Sequence, residues 1–308
     1  MSKSRRLVLP VVASQRSRAY IALLTIVFIW GIAFPLIKPA FAFISPMQYL
    51  YFRFLVAGIV SLPIFLVYYF KSHPKISYLF KVTLIELLGI TIPLYLLYEG
   101  LSRTSSIEAS LLGSIYPLFI VLGSVWFLRE KENKREWQGL GLALLGSFVL
   151  VIGPALSGGI DSPSSTLGNM YILGYGLTYT IYAIIAKKIY KTKPPLYTGS
   201  LTYLMTALIY GLILNTQNIL PSISLLTSNM KVLLPVLYMA IPGGIIAFAL
   251  HLYAVGKIEV SEANLFGYLN GLVAIPAAYI ILGEKPSIIT LIATAIIAYG
   301  VYRAEIKS

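Results

Sequence analysis

Two stretches of this chain, EASLLGSIYPLFIVLGSVWFLREK at Glu108–Lys131 and EANLFGYLNGLVAIPAAYIILGEK at Glu262–Lys285, are copies of one another. They align without a gap at a spacing of 154 residues, and eight of the 24 aligned positions are identical. Each copy is long and apolar enough to cross a bilayer as a helix. The repeat predicts that the chain is built from two related halves.

The composition indicates which solvent surrounds the protein. The 308-residue chain is 58% apolar and only 11% charged, whereas soluble domains carry about a quarter charged residues. We therefore predict an integral membrane protein with the lipid bilayer as its partner. The chain has no cysteine and two histidines, which excludes disulfides and disfavours a metal centre. We expect neither a metal nor a cofactor.

Hydrophobic windows predict an all-α polytopic membrane protein. A helix needs about 20 mainly apolar residues to cross the hydrocarbon core, and ten windows qualify. They lie at approximately 19–38, 47–70, 79–101, 106–128, 137–155, 167–187, 197–214, 232–255, 262–283 and 286–303.

The distribution of lysine and arginine predicts the orientation of these spans. If the N-terminus is cytoplasmic, 19 of the 24 basic residues fall on the inside, four fall outside and Arg53 lies within the second span. Such a bias is typical of cytoplasmic loops. The bias predicts that both termini are cytoplasmic. It also accounts for the net charge of +13 through basic cytoplasmic loops, so we expect no nucleic-acid partner. We expect the plasma membrane as the location.

The two copies of the repeat form spans four and nine. Five spans separate them, so they run in opposite directions, and the chain is predicted to consist of two inverted five-helix repeats. The predicted boundaries are a basic cytoplasmic tail at 1–18, repeats at 19–155 and 167–303, a connecting loop at 156–166 and a cytoplasmic tail at 304–308. Inverted repeats in transporters bind substrate near the midplane where they meet. A duplicated scaffold without transport activity is the alternative.

Small residues in the repeat predict close helix packing. Gly113 follows Ala109 by four residues, and Gly267 occupies the matching place in the second copy. Helices in lipid associate by close approach through such residues. We expect spans four and nine to cross another helix there. Three further glycines of span five would suit either a homodimer contact or packing within the chain: Gly139, Gly141 and Gly146.

A family resemblance covers nearly the whole chain beyond the N-terminal tail. The chain carries FIWGIAFPLIKPAFAFISPMQYLYFRF at 28–54, YEGLSRTSSIEASLLGSIYPLF at 98–119 and REK at 129–131. These stretches resemble the EamA-type permeases of the drug/metabolite transporter superfamily, and residues 174–188 and 281–285 match more loosely. The second copy has Gly271 where the first has Pro117, with a proline at Pro276 instead, which leaves the kink of the second copy open.

The resemblance implies ten helices in two inverted halves around a central cavity. It also implies secondary transport of metabolites, often export, with a small molecule as substrate.

Ionisable residues inside a membrane are candidates for function because they are expensive to bury. Glu99 could bind a proton or a cationic substrate, and Tyr95 shares its helix face while Tyr98 adjoins it. Alternatively, Glu99 pairs with Arg103, four residues on. We treat Tyr95, Tyr98 and Glu99 as candidates for substrate binding.

Two further groups are candidates for proton coupling. Glu86 lies 13 residues before Glu99, about 20 Å away along the helix, and pairing with Lys81 or Lys75 is its alternative role. An unperturbed imidazole titrates near neutral pH, so His251 would suit proton coupling or substrate binding. A histidine hydrogen-bonded between helices is an equally good interpretation.

Polar and aromatic residues of other spans complete the candidate substrate-binding set. Asn264 and Asn270 interrupt the apolar ninth span and match Ser110 and Tyr116 of the first copy. Trp30 could stack on a substrate. So could Tyr179, which lies on a stripe at i, i+4 and i+7 with Tyr175 and Tyr182, although such stripes more often pack against other helices.

The remaining singled-out residues are predicted to be structural. Arg53 is favoured as a clamp at helix ends over an anion-binding role. Glu130 and Glu284 end spans four and nine, where each carboxylate would suit the free N–H groups at the start of the following helix. Gly113, Gly267 and Pro117 are assigned to helix packing and kinking.

The leading hypothesis is a secondary active transporter, most often an exporter in the related family, of metabolites such as amino acids. The chain has no GxxxxGK[ST] loop, so ATP is not expected as the direct driver. The alternative hypotheses are an integral membrane enzyme acting on lipid-linked substrates and a lipid-handling protein. The sequence shows none of the clustered acidic and histidine residues that the enzyme would need.

Overall fold

A computed structural model of the chain describes residues 9–113, 115–128, 134–156, 163–189, 198–258 and 266–305. Within these ranges all regular secondary structure is helical. Asn264 and Glu130, which the sequence singles out, lie outside the described residues. So do residues 1–8, most of the predicted inter-repeat loop and residues 306–308.

The helices follow the predicted spans closely. In chain order they are α1 (Leu9–Ile37), a 3₁₀ turn (Lys38–Ala42), α2 (Pro46–Ser72), α3 (Ile76–Arg103), α4 (Ser106–Gly113), α5 (Tyr116–Leu128), α6 (Lys134–Leu156), α7 (Pro163–Ile189), α8 (Thr198–Thr216), α9 (Ile223–Thr227), α10 (Met230–Ala240), a π-helical segment (Ile241–Ile246), α11 (Ala247–Val255), a 3₁₀ turn (Phe266–Leu269), α12 (Asn270–Leu282) and α13 (Ile288–Glu305).

Among the described residues, each of the ten predicted spans is largely helical. By length and composition, five helical stretches among the described residues can cross a bilayer: Gln15–Ala42, Pro46–Ser72, Ile76–Arg103, Gly199–Thr216 and Met230–Ala254. Shorter apolar helices include Asn270–Leu282 and Ile288–Gly300. The fold is therefore all-α with several apolar helices, and the count of ten spans remains a prediction with which these helices are compatible.

The two copies of the repeat are interrupted at equivalent positions. The regular helix α5 begins at Tyr116, and α12 begins at Asn270, which is 154 residues later. Pro117 is the second residue of α5, a first-turn position that proline tolerates. Because the second copy has glycine there, proline does not determine where the break falls.

Helices of the first half pack mainly on helices of the second half. The most extensive contacts join α6 to α13, α3 to α7, and α2 to α8. In addition, α1 packs against α11 and α12, while α7 packs against α3 and α5. This interleaving encloses a central space between the halves.

Contacts between the described connections are compatible with the predicted alternation of successive spans. Lys38, after the first span, lies 3.0 Å from the carboxylate of Glu284, after the ninth. Gln48 Nε2 donates to the carbonyl oxygen of Ile219, near the end of the seventh span, at 2.8 Å. Thr104, after the third span, contacts Asn169 in the first turns of α7 at 2.7 Å. These connections all lie at one end of the bundle, the end that the Lys/Arg bias predicts to be external.

The close approach predicted at Gly113 and Gly267 is wrong. A Cβ at Gly113 would lie 3.6 Å from Phe34, an ordinary contact, and a Cβ at Gly267 would meet nothing within 4 Å. Both glycines border the central cavity, so no neighbouring helix fills the space beside them. Spans four and nine do pack on each other, through Leu111 and Gly271.

The tight crossings lie elsewhere. A Cβ at Gly300 of α13 would lie 2.5 Å from the backbone nitrogen of Ala143 and 2.7 Å from the carbonyl oxygen of Gly139. A Cβ at Gly146 would meet Ile297 at 2.7 Å. Gly139 and Gly146 therefore pack within the chain, whereas a Cβ at Gly141 meets nothing within 4 Å.

We predict that Gly300→Ala lowers the thermal unfolding midpoint of the purified protein by several degrees, because its methyl group must push backbone atoms of α6 away. Gly141→Ala is the control: alanine favours helix by about 1 kcal/mol over glycine and has open space here. Thermal unfolding in detergent measures both. An unchanged midpoint for Gly300→Ala would contradict the α6–α13 crossing.

Candidate functional site

A cavity of about 300 Å³ lies between the two halves. Helices from both halves line it. Among the described residues, α6 and α13, which pack on each other, contribute none of the lining residues. Aromatic side chains cover much of the wall: Trp30, Phe34, Phe54, Tyr98, Tyr116, Tyr175, Tyr179, Tyr182, Tyr203 and Phe248. A concave, mainly apolar space with a few polar groups is the usual form of a small-molecule site.

Arg53 supplies the positive charge of the cavity wall. Its side chain is buried, and Nη1 donates a hydrogen bond of 2.6 Å to the hydroxyl of Tyr98. The guanidinium also lies over the rings of Phe54 and Tyr98, 5.1 Å and 5.5 Å from their centroids. The sequence favours a clamp at helix ends over an anion-binding role for Arg53. The structure places its side chain on the cavity, two turns inside α2, and this position tests neither role.

Glu86 supplies a negative charge on another part of the wall. The hydroxyl of Tyr182 lies 3.0 Å and 3.1 Å from its two carboxylate oxygens and donates to them. Glu86 and Tyr98 are both on α3, twelve residues apart, which corresponds to about 18 Å along the axis. The cavity therefore has an arginine region and a carboxylate region that are well separated.

Tyrosines of α5 and α7 form a continuous aromatic surface on the cavity. The ring of Tyr179 lies 5.3 Å from that of Tyr116, 5.9 Å from that of Tyr175 and 5.5 Å from that of Tyr182, measured between centroids. The predicted stripe on α7 thus faces the cavity. Such a surface, ending at a carboxylate, suits the cationic or aromatic part of a ligand.

Broken helices border the cavity. Tyr116 and Asn270, the first residues of α5 and α12, both line it. So do Gly243 and Gly244 of the π-helical segment, where Trp30 Nε1 donates a 3.0 Å hydrogen bond to the carbonyl oxygen of Gly243. Irregular backbone at membrane depth is tolerated where it lines a cavity, and interrupted helices form the substrate sites of many transporters.

A small side pocket of about 20 Å³ adjoins the main cavity. His251 lines this pocket, and Trp30, Tyr116, Gly267 and Asn270 line both spaces. The Oδ1 atom of Asn270 is buried without a hydrogen-bond partner among the described residues. The pocket has room for about one water molecule.

A hydrogen-bonded network joins the two halves at the end of the bundle nearest to Arg53 and Tyr98. We call it the sealed end, and it consists of Lys38, Thr104, Ser106, Asn169 and Glu284. Lys38 Nζ donates to the carbonyl oxygen of Thr104 at 2.6 Å and to Glu284 Oε1 at 3.0 Å. Glu284 Oε2 accepts from the backbone nitrogen and the hydroxyl of Ser106, at 2.9 Å and 2.7 Å.

The sealed end connects the two halves. The sequence predicts that Glu284 meets the N–H groups of the following helix, but the structure places it at the start of α4, in the other half of the chain. A carboxylate at a helix N-terminus is favoured by the helix dipole. Next to it, Glu108 Oε2 accepts from Thr104 Oγ1 at 2.7 Å and from Asn169 Nδ2 at 2.9 Å.

The other predicted site residues are divided by the structure. Trp30, Tyr98, Tyr179, Glu86 and Asn270 line the cavity. Glu99 instead forms an ion pair with Arg103 at 2.9 Å, and Tyr95 packs against the hydrophobic core. Neither of these two is among the cavity-lining residues. Glu99 lies about 100° around the helix from Tyr98.

Sequence reasoning did not single out several lining residues. Phe54 and Tyr203 are ordinary aromatic positions, and no local pattern distinguishes them, whereas Phe34 belongs to the stretch that carries the family resemblance. Gly243 and Gly244 did carry a signal, since they follow Pro242 within a predicted span. Helix-breaking residues in a hydrophobic segment are a pointer to a transporter's binding site.

The chain is similar to known transporters over almost its whole length. The model of the EamA-like transporter family matches residues 17–152 and again residues 166–304. An uncharacterized inner membrane transporter of Escherichia coli, YedA, is 26% identical over 285 residues, covering 91% of this chain and 88% of that protein. A Salmonella typhimurium protein named a probable amino-acid metabolite efflux pump is 25% identical, covering 93% and 94%.

A solved crystal structure has the same fold. It superposes with a TM-score of 0.64 at 20% identity and covers 94% of this chain and 96% of its own. With the family model matching most of the residues, the chain belongs to the EamA-like transporter family and is a membrane protein. Since these relatives are named as transporters or an efflux pump, the comparisons point away from an enzyme.

We predict that Trp30→Phe destabilises the protein by about 1 kcal/mol, because it removes the hydrogen bond that the indole N–H donates to the carbonyl oxygen of Gly243. Trp137→Phe is the matched control, since Trp137 is exposed on α6. Thermal unfolding in detergent measures the difference. Equal unfolding midpoints for the two variants would show that the bond to the π-helical segment contributes nothing to stability.

Proposed function

We propose that this member of the EamA-like transporter family is a secondary active exporter of small organic metabolites, such as amino acids or related compounds. It acts in the plasma membrane with both termini in the cytoplasm, and the two halves expose the cavity to alternate sides. The observation that carries the proposal is a central aromatic cavity with charged groups, together with a network that joins the halves at one end of the bundle.

The sealed end has the properties of a gate. Its ion pair is only partly exposed, with 28% of the Lys38 side chain and 18% of the Glu284 side chain accessible. Hydrogen bonds to charged groups are worth about 1.5–3 kcal/mol each. An interaction of this size holds the end closed and can still be broken when the halves move.

The cavity extends away from the sealed end. Arg53 and Tyr98 lie on the side of the sealed end, within a few turns of the helix ends there. Glu86 and Tyr182 lie farther along α3 and α7, and Gly199 lies one residue from the start of α8. In the orientation that the Lys/Arg bias predicts, the cavity extends toward the cytoplasm, as an exporter requires before it loads substrate.

A gradient, rather than ATP, drives the proposed transport. Of the three candidates for proton coupling, Glu86 is placed to sense the substrate directly because it lines the cavity. His251 is one pocket away, and Glu99 is engaged with Arg103. The amino-acid class of substrate is supported by the name of the Salmonella typhimurium relative.

We predict that Glu284→Gln opens the sealed end. A single cysteine at Gly113 is the reporter, since a Cβ fits there and the native chain has no cysteine. A membrane-impermeant maleimide added outside right-side-out vesicles should label Gly113→Cys slowly. In the Glu284→Gln background the rate should rise about tenfold, because the loss of one charged contact weakens the closed state.

Glu99→Gln serves as the control for this experiment. It removes the other described ion pair, which lies within α3 and does not join the halves. It should leave the labelling rate unchanged. Rapid external labelling of the Gly113→Cys variant with Glu284 intact would contradict closure at this end.

A further inference from the structure

We propose that Arg53 is the subsite for the negatively charged group of the substrate, and that this group is a carboxylate. The cavity would then select organic acids and amino acids over their uncharged amides. The inference rests on the proposed transport function and adds the chemistry that the cavity recognises.

The first step is the position of the guanidinium. Arg53 is only 8% exposed, yet it lines the cavity. Its place on α2 is fixed by the hydrogen bond to Tyr98 and by the flanking rings of Phe54 and Tyr98. Tyr98 is fixed in turn by stacking on Tyr49, whose hydroxyl donates to the carbonyl oxygen of Pro235 at 2.7 Å.

The second step is the missing countercharge. Among the residues that the structure describes, no carboxylate lies within ion-pair distance of Arg53; the two ion pairs seen there are Lys38–Glu284 and Arg103–Glu99. Glu86, the carboxylate on the same cavity, is bound by Tyr182 and lies about 18 Å along α3 from Tyr98. Contact with aromatic faces offsets only part of the cost of burying a cation. An anionic group of a ligand would supply the rest.

The third step is the unused donors. A guanidinium presents five N–H donors in a planar fork, and the bond to Tyr98 uses one of them. The fork matches the two oxygens of a carboxylate, which it binds through two parallel hydrogen bonds. A phosphate has the same chemistry, but the predominantly aromatic wall suits a carboxylate with an apolar remainder.

The separation of the charged groups sharpens the expectation. The amino and carboxyl groups of an α-amino acid are neighbours in the molecule and cannot reach Arg53 and Glu86 together. The affinity due to Arg53 should therefore be independent of the amino group. An organic acid that lacks an amine should bind about as well as the matching amino acid.

The test measures binding to the purified full-length chain in detergent by ligand-induced thermal stabilisation. The probes are L-phenylalanine, L-phenylalaninamide, 3-phenylpropionate and phenyl phosphate. The variants are Arg53→Gln, Arg53→Lys and Tyr98→Phe, with Arg103→Gln as control because Arg103 lies on α3 in an ion pair and does not line the cavity.

We expect both carboxylates to bind the unaltered chain at least tenfold more tightly than the amide. Arg53→Gln should lose this tenfold preference, Arg53→Lys should retain part of it, and Arg103→Gln should retain all of it. The comparison of acid with amide needs no variant, so it stands even if Arg53→Gln does not fold. In that case Tyr98→Phe should weaken carboxylate binding, because it keeps Arg53 but removes the hydrogen bond that holds the guanidinium in place.

Equal affinities for L-phenylalanine and its amide, or an unchanged preference in Arg53→Gln, would overturn the inference, as would the absence of binding by either carboxylate. Tighter binding of phenyl phosphate would overturn the assignment to a carboxylate. Uptake of the same probes into inverted vesicles separates the two proposals. Transport without acid preference rejects the role of Arg53 alone, whereas acid-selective binding without transport rejects the proposed function alone.

Discussion

Every polar group that lies at membrane depth needs a partner inside the protein, because hydrocarbon offers none. This constraint accounts for the helical fold and for the places where the helices break. The described interruptions within spans, before Tyr116, before Asn270 and through the π-helical segment Ile241–Ile246, all border the central cavity. There, Trp30 donates to a backbone carbonyl that the π-helical segment exposes. The constraint thus concentrates irregular backbone and polar side chains at one place, which is where a transporter needs them.

The same constraint applies to charge at the sealed end and within the cavity. Lys38 and Glu284 neutralise each other, and Glu284 also satisfies the start of α4 across the interface between the halves. Arg53 has aromatic neighbours and one phenol hydroxyl instead. The charges of the Lys38–Glu284 pair at the sealed end are therefore compensated within the protein. The charge of Arg53 is only partly compensated, at the place where a ligand would bind. The contrast links the stability of the closed end to the chemistry of the cavity.

Sequence periodicity and hydrophobicity were sufficient to locate the helices, because the bilayer sets their length and composition. They also located the repeat. Helix α5 of the first copy and helix α12 of the second copy begin at matching residues, although the first copy has Pro117 where the second has Gly271. Partnerships between distant residues were beyond reach. Glu284 caps a helix that begins 178 residues earlier in the chain, and no local pattern announces that contact. The sequence also could not separate cavity residues from their neighbours. Tyr98 lines the cavity, whereas Glu99, the next residue, does not.

The central claim is that the sealed end must open for substrate to cross. Ser105 and Lys285 flank the contact between Ser106 and Glu284 without carrying it. A Ser105→Cys/Lys285→Cys chain, joined by a short reducible bis-methanethiosulfonate crosslinker, should bind substrate but transport it at least tenfold more slowly, and reduction should restore the rate. An unchanged transport rate in the fully crosslinked protein would contradict this account of how the protein works.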